Sequence, residues 1–140
     1  MRYKILVVED DASMRELLAM HLRAAGYAVE TAEDAIAAGY AVLKAPPDLI
    51  VCDIGLPHMD GLEFVAALRA DSTIGRIPVI FVTSIEEGFE RSKQLGQTEY
   101  LMKPVRADVL LGAVRRYLLV PMPVAAFAEQ GGEAPEGARA

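Results

Sequence analysis

Three short apolar runs along the chain each end directly in acidic or hydroxyl residues. These runs are residues 5–8, 49–52 and 79–82. Short continuous apolar runs bounded by polar residues are typical of strands that are buried on both faces, as in a parallel sheet. Two further strands are predicted at residues 28–31 and 99–102, so the chain is expected to form a five-stranded sheet.

Helical patterns alternate with the predicted strands. Apolar positions at helical spacing predict helices from four groups of residues: Met14, Leu18, Leu22 and Ala25; Ile36, Tyr40 and Leu43; Leu62, Val65 and Leu68; and Leu110, Val114, Tyr117 and Leu118. Before the last group, Ser84 and Glu87 predict the start of one more helix, which is short and has Ser84 as its N-cap. The alternation predicts an α/β protein with the (βα)₅ fold, in which helices cover both faces of a doubly wound parallel sheet.

Several residues predict where individual helices begin and end. Asp11 is placed to cap the first helix, and Asp60 is placed to cap the third with Glu63 as its capping-box partner. Gly26 follows the first helix at the position where a left-handed residue commonly closes a helix. These local signals support the helix assignments independently of the apolar pattern.

The composition changes near residue 120. Residues 1–120 are predicted to form one domain, whereas residues 121–140 are rich in Pro, Ala, Gly and Glu and are predicted to be a disordered tail or a truncated linker. The formal net charge of −6 argues against direct nucleic-acid binding, which needs a basic face. No apolar run is long enough for a signal peptide or a membrane span. Cys52 is the only cysteine, which excludes an intrachain disulfide and favours a reducing, cytoplasmic setting.

Polar side chains that could carry chemistry follow four of the five predicted strands. They are Glu9, Asp10, Asp11, Asp53, Thr83, Ser84 and Lys103. Ligands of a parallel α/β sheet bind beyond the carboxyl ends of the strands, so these groups are expected to meet at one edge. Clustered carboxylates repel one another and recruit a cation, and Mg²⁺ suits oxygen ligands that are shared with a phosphoryl group. A carboxylate can itself be the nucleophile and form an aspartyl phosphate.

Five sequence motifs occur in a familiar order and spacing. They are residues 7–11 (VVEDD), 53–57 (DIGLP), 59–61 (MDG), 82–84 (VTS) and 100–104 (YLMKP). Over roughly residues 3–119 the chain closely resembles the receiver domains of two-component response regulators. The resemblance implies a phosphorylation switch rather than an enzyme, although such a domain assists its own phosphotransfer and dephosphorylation.

The resemblance also implies a role for individual residues. Asp53 matches the phosphoacceptor, and Glu9, Asp10 and Asp53 match the carboxylates that hold Mg²⁺. Gly55 would supply a backbone carbonyl ligand to the metal. The hydroxyl of Thr83 and the ammonium of Lys103 would contact the phosphoryl group. The resemblance further implies a cis peptide bond before Pro104 and a switch aromatic at Tyr100.

The implied partner is a sensor histidine kinase or a histidine phosphotransfer protein, which would donate the phosphoryl group. The downstream target would be another protein, and we expect a monomer or a weak, phosphorylation-dependent dimer. Thr83 and Lys103 are 20 positions apart, about two fewer than the family pattern, so the fourth helix is predicted to be short or displaced. An alternative stays open, in which the chain is a pseudo-receiver that binds proteins without being phosphorylated.

Overall fold

The structure is a computed structural model and describes residues 2–119. Strands and helices alternate strictly along this part of the chain. The strands are β1 (Lys4–Val8), β2 (Ala28–Ala32), β3 (Leu49–Cys52), β4 (Val79–Thr83) and β5 (Thr98–Met102). The helices are α1 (Ala12–Ala24), α2 (Ala35–Lys44), α3 (Gly61–Ala70), α4 (Phe89–Gln94) and α5 (Ala107–Arg115). All strand pairs are parallel, in the order β2-β1-β3-β4-β5. The predicted (βα)₅ sheet is confirmed.

The three central strands are buried on both faces, as their unbroken apolar runs predict. Along β1, Ile5 and Val7 point to one core cluster, which includes α1 and α5 residues, whereas Leu6 and Val8 point to a second cluster with residues of α2 and α3. The same alternation holds in β3 and β4. The two clusters pack the sheet between two helical layers. This packing fixes the position of each strand end in the fold.

The predicted caps of two helices are present. The Asp11 carboxylate accepts a hydrogen bond from the N–H of Met14 at 3.0 Å. Asp60 and Glu63 form a reciprocal capping box at the start of α3. Gly26 has φ 101° at the end of α1, a backbone conformation that costs little for a residue without a Cβ.

Helix α2 is present, and the apolar residues that predicted it lie on its exposed face. Ile36, Tyr40 and Leu43 keep 57%, 71% and 67% of their surface accessible. The buried residues of this helix are the small Ala35 and Ala38, together with Val42. Small side chains at buried positions allow a helix to lie close to a sheet, and the larger residues of α2 occupy the opposite face.

Helix α4 is short, with six residues, as the spacing between Thr83 and Lys103 predicts. The prediction that Ser84 caps it is wrong. The helix begins at Phe89, its N-cap position is Gly88, and no side chain of the described residues caps it. Residues 84–88 instead form a turn after β4, in which the N–H of Ile85 donates to Thr83 Oγ1 at 3.2 Å. The turn takes up the residues that would otherwise have formed the first helical turn.

Two arginines hold the carboxyl end of α4. Arg69 on α3 donates from Nε to the carbonyl of Leu95 and from a terminal nitrogen to the carbonyl of Gly96, both at 3.0 Å. Arg76 donates to the Leu95 carbonyl at 3.1 Å. These cations supply partners for carbonyls that have none within the helix and suit its dipole. The short helix therefore depends on long-range contacts more than on its own six residues.

Replacing Arg69 with alanine is expected to lower the free energy of unfolding by about 2 kcal/mol, because two charge-assisted hydrogen bonds from a half-buried side chain are lost. Urea unfolding of the variant measures this change, and hydrogen exchange should show that α4 loses protection first. The matched control is Arg91→Ala, since Arg91 is an exposed arginine on α4 itself. Equal stability of the two variants would contradict the role of Arg69.

Residues 121–140, predicted to be a tail or linker, lie outside the described residues. Within residues 2–119, no helix is long and apolar enough to cross a membrane.

Candidate functional site

The carboxyl ends of four strands bring the predicted polar residues together. Glu9, Asp53 and Lys103 each come directly after a strand, and Thr83 is the last residue of β4. The backbone hydrogen bonds of the sheet continue one residue beyond the ends of β3 and β5. The Asp53 N–H donates to the carbonyl of Val8 at 3.0 Å, and the Lys103 N–H donates to that of Thr83 at 2.9 Å. The main chain therefore fixes the origin of each side chain.

Three carboxylates form the acidic part of the site. One oxygen each from Glu9, Asp10 and Asp53 lie within 4.8 Å of one another. Glu9 is 1% exposed and Asp53 is 9% exposed, whereas Asp10 faces solvent. Of the acidic residues predicted to meet at this edge, Asp11 instead points its carboxylate to the start of α1 as a cap.

Lys103 is the cation that joins the two buried carboxylates. Its Nζ donates to Glu9 Oε1 at 2.8 Å and to Asp53 Oδ2 at 3.0 Å. The pKa of Lys103 is raised, because its bonds to both acids outweigh the effect of burial, which alone would lower it. The ammonium group thus stays charged between two anions that are 44 residues apart in sequence, Glu9 and Asp53.

The two buried acids respond differently to this environment. Burial raises the pKa of Glu9 above its ordinary value, although the hydrogen bond from Lys103 opposes the change. For Asp53, burial also raises the pKa, but Lys103, Thr83 and the N–H of Gly55 together lower it below its ordinary value. Asp53 is therefore an ionised carboxylate near neutral pH, which is the state that a nucleophile needs.

Thr83 and Gly55 complete the immediate surroundings of Asp53. The Gly55 N–H donates to Asp53 Oδ1 at 3.2 Å and orients the carboxylate. Thr83 is fully buried, and its hydroxyl accepts the N–H of Ile85. The first turn after β4 is thus tied to the hydroxyl that lies beside Asp53.

Two residues that support the site have no role in the sequence-based prediction. A Cβ at Gly61 would lie 2.2 Å from the carbonyl oxygen of Asp53, so only glycine fits there. Arg15 on α1 donates to the carbonyl of Glu9 at 2.8 Å. Gly61 lies in the motif at residues 59–61. Its distance from Asp53 depends on how α3 packs beside β3, and the spacing of residues does not reveal this packing.

Tyr100 on β5 lies half-buried against the far side of the turn that follows β4. Its hydroxyl donates to the carbonyl of Ile85. Its ring packs tilted against Phe81, with centroids 6.2 Å apart, and edge-on against Phe89, with centroids 5.5 Å apart. A Cβ on Gly88 would lie 3.2 Å from the Tyr100 hydroxyl oxygen, so a small residue at this position makes room for the ring.

The peptide bond between Lys103 and Pro104, which directly follows β5, is cis.

A family model described as the response regulator receiver domain matches residues 5–115, which is well over half of the chain. The chain belongs to this family. Receiver domains are phosphoacceptor signalling domains of two-component response regulators, which interact with sensor kinases. The resemblance predicted from the motifs is confirmed.

This receiver domain is similar to a curated relative from Mycolicibacterium paratuberculosis, the DNA-binding response regulator MtrA. The two are 36% identical over 120 residues, which make up 84% of this chain and 52% of the relative. The chain thus spans about half the length of the curated relatives that it matches.

Solved structures give the same result for the receiver fold. The chemotaxis response regulator CheY4 of Vibrio cholerae has a TM-score of 0.78 and 36% identity, and the match covers 84% of this chain and 100% of that structure. The signal receiver domain of a signal transduction histidine kinase from Syntrophus aciditrophicus has a TM-score of 0.75 and 30% identity, covering 87% and 96%.

The acidic pocket of this receiver domain fits a Mg²⁺ ion by the chemistry of its donors. Receiver domains bind Mg²⁺ at such a pocket. Its three carboxylates are hard oxygen ligands that converge within 4.8 Å, one of them open to solvent. The ammonium of Lys103 offsets only part of their charge, since one cation faces three anions.

Proposed function

We propose that Asp53 accepts a phosphoryl group from the phosphohistidine of a sensor histidine kinase or histidine phosphotransfer protein, in a Mg²⁺-dependent reaction. The observation that carries this proposal is the environment of one carboxylate. Asp53 is ionised at a strand end, lies within hydrogen-bonding distance of Lys103, and shares a pocket with two further acids. This arrangement combines a nucleophile with charge stabilisation, which are the main requirements of phosphoryl transfer.

The metal would be held by the carboxylates of Glu9, Asp10 and Asp53 and by the backbone carbonyl of Gly55. When bound, it would supply positive charge to the phosphoryl oxygens. The exposed position of Asp10 leaves the pocket open on the side from which a partner protein would approach. Glu9 lies at the base of the pocket, where its ionised form depends on a nearby cation because burial raises its pKa.

The transfer itself needs few groups of this chain. A carboxylate oxygen of Asp53 attacks phosphorus, the bond between phosphorus and the histidine nitrogen breaks, and the electron pair stays on the imidazole. Lys103 is close enough to exchange its contact with Asp53 for a phosphoryl oxygen. The hydroxyl of Thr83 would donate to another phosphoryl oxygen, and in doing so would change its bond to the Ile85 N–H. Both groups stabilise charge that increases on the transferred group.

The switch would proceed through the turn after β4. Thr83 accepts the N–H of Ile85, and the Tyr100 hydroxyl donates to the carbonyl of the same residue. A movement of Thr83 towards a phosphoryl group would therefore disturb both ends of one peptide segment and alter the packing of Tyr100 against Phe89. The surface of α4 and β5 would report phosphorylation to a downstream protein.

We further propose that residues 1–120 form the receiver domain, that residues 121–140 form a tail or linker, and that the protein acts in the cytoplasm. The fully buried Cys52 thiol, the only cysteine of the chain, is compatible with a reducing compartment.

Intact mass measurement after incubation with acetyl phosphate or phosphoramidate tests the proposed function. We expect the wild-type chain to gain one phosphoryl group in the presence of Mg²⁺ and much less in its absence. Asp53→Asn removes the nucleophile and should abolish the gain. The matched control is Asp60→Asn, which changes a nearby acid whose role is to cap α3 and which should leave the gain intact.

Two results would contradict the proposal. One is a wild-type protein that gains no mass with any small donor or with a phosphorylated kinase domain, which would favour a phosphorylation-independent binding module. The other is a gain that persists in Asp53→Asn, which would place the phosphoryl group on a different residue.

A further inference from the structure

Three large apolar side chains face outward from α2. Ile36, Tyr40 and Leu43 follow one another at helical spacing, and all are more than half exposed. Met59, in the loop before α3, adds a fourth apolar side chain that is 40% exposed. Together with Gly39 they line a shallow cavity of about 280 Å³. Exposed apolar patches of contiguous side chains commonly mark interaction sites.

We propose that this face, the α2 face (Ile36, Gly39, Tyr40, Leu43 and Met59), binds the same face of a second copy of this chain and forms a weak, symmetric dimer. The dimer does not require phosphorylation of Asp53, because none of these residues contributes a side chain to the acidic pocket.

The charges at the two ends of α2 favour an antiparallel pair of helices. Glu33 precedes the helix and is exposed, and Lys44 is its last residue and is also exposed. Within residues 2–119, neither of them has an ion-pair partner. A two-fold axis near Gly39 would bring Lys44 of each copy to the Glu33 end of the other. A parallel arrangement would instead place like charges together, which is unfavourable.

The shape of the α2 face suits the same arrangement. Ile36 and Leu43 lie on either side of Gly39 and Tyr40 along the helix, so an antiparallel pair would set Ile36 of one copy against Leu43 of the other. Among residues 2–119, and apart from the backbone of α2 itself, a Cβ on Gly39 would meet nothing within 4 Å, and glycine leaves space there for close approach of a partner helix. Self-complementary faces of this kind form closed two-fold dimers.

The size of the face limits the strength of the dimer. A ten-residue helix is about 15 Å long. A pair of such helices buries less than the roughly 1,200 Å² of total surface that stable complexes need. We therefore expect a dissociation constant on the order of 10–100 μM, which corresponds to a transient dimer.

Sedimentation velocity of the full unphosphorylated chain, between about 5 and about 500 μM, tests the proposal. The wild type should shift from monomer to dimer across this range. Tyr40→Glu places a charge in the centre of the interface and should raise the dissociation constant at least about tenfold. Leu17→Glu, at an exposed apolar position on α1, is the matched control and should leave the constant unchanged.

The charge pairs allow a stricter test that does not alter the apolar contact. Lys44→Glu alone should weaken the dimer severalfold, and the double variant Glu33→Lys with Lys44→Glu should restore it, because both ends then carry the opposite charge. A wild type that stays monomeric at all concentrations overturns the proposal. This holds even if residues 121–140 or another protein cover the α2 face instead. A dimer that is lost in Leu17→Glu but retained in Tyr40→Glu also overturns it. So does a double variant as weak as Lys44→Glu.

Discussion

Gly61→Ala is expected to lower the free energy of unfolding by about 3 kcal/mol, at the upper end of the usual range for overpacking. A Cβ at this position would lie 2.2 Å from the carbonyl oxygen of Asp53 and 3.0 Å from the Cα of Ile54. Both neighbours are backbone atoms, so no side-chain rotation relieves the clash. Chemical denaturation at 25 °C measures the loss.

The same substitution should also disturb the phosphoacceptor. To admit the new methyl group, α3 must move away from β3 or the Asp53 peptide must rotate. The N–H of Gly61 donates to the carbonyl of Ile54 at 2.8 Å, so movement of the helix would strain this bond as well. We therefore expect the rate of phosphorylation by a small donor to fall together with stability, even though Gly61 touches no reacting atom.

Gly112→Ala is the matched control for Gly61→Ala. Gly112 lies within α5, and among residues 2–119 a Cβ there would meet nothing within 4 Å apart from the backbone of its own helix. Alanine in a helix interior is more favourable than glycine, so this variant should be more stable than wild type by about 0.5–1 kcal/mol. Opposite signs for the two glycines are the expected result. A small, similar effect at both would contradict the close contact at Gly61.

Lys103→Met is expected to lower the free energy of unfolding at neutral pH by about 3 kcal/mol. The substitution keeps the length of the side chain but leaves Glu9 and Asp53 without the cation that both contact. We choose the lower end of the range for broken buried ion pairs because the Lys103 side chain is 19% exposed. Thermal or urea unfolding in a metal-free buffer measures the change.

The loss of stability in Lys103→Met should decrease as the pH falls. In the wild type, the lowered pKa of Asp53 contributes stability that is present near neutral pH and is lost as the pH falls through that pKa. The variant loses this contribution. The pKa of Glu9, already raised by burial, should rise further without Lys103, so that the folded variant binds more protons than the unfolded chain and is stabilised as the pH falls. The difference between variant and wild type should therefore narrow as the pH falls from neutral into the acid range.

A divalent cation provides a second check on Lys103→Met. If the lost ammonium charge causes the deficit, Mg²⁺ should stabilise the variant more than the wild type, because it finds less competing positive charge in the pocket. Lys93→Met is the control, since Lys93 is 57% exposed and its ion pair with Glu90 contributes little. A deficit that is independent of both pH and Mg²⁺ would instead indicate a loss of packing.

The strands of this protein and the caps of α1 and α3 follow from local sequence. An apolar run such as residues 49–52 has few alternatives to a buried strand, and Asp60 with Glu63 forms its capping box between near neighbours. The convergence of the polar residues is also predictable, because parallel strands joined by helices present their carboxyl ends at one edge. Those rules place Glu9, Asp53, Thr83 and Lys103 together without any knowledge of side-chain contacts.

The orientation of α2 shows where the local pattern is insufficient. Ile36, Tyr40 and Leu43 satisfy the helical period as well as any core face does, and the helix they predict is present. Which face is buried depends on the distance between helix and sheet, and the alanines Ala35 and Ala38 permit the closer approach. Periodicity alone cannot distinguish a core face from an exposed face, because both have the same spacing.

The start of α4 and the role of Gly61 were decided by contacts between segments that are distant in sequence. Ser84 is a plausible cap by residue type, but the turn after β4 is held by Thr83 and by the Tyr100 hydroxyl, so the helix begins later at Phe89. Local sequence is enough for elements whose hydrogen bonds close within a few residues. The buried face of α2, the start of α4 and the close contact at Gly61 depend on the packing of separate elements. They are set only when the chain has folded, because the atoms that stabilise them are not in the neighbouring sequence.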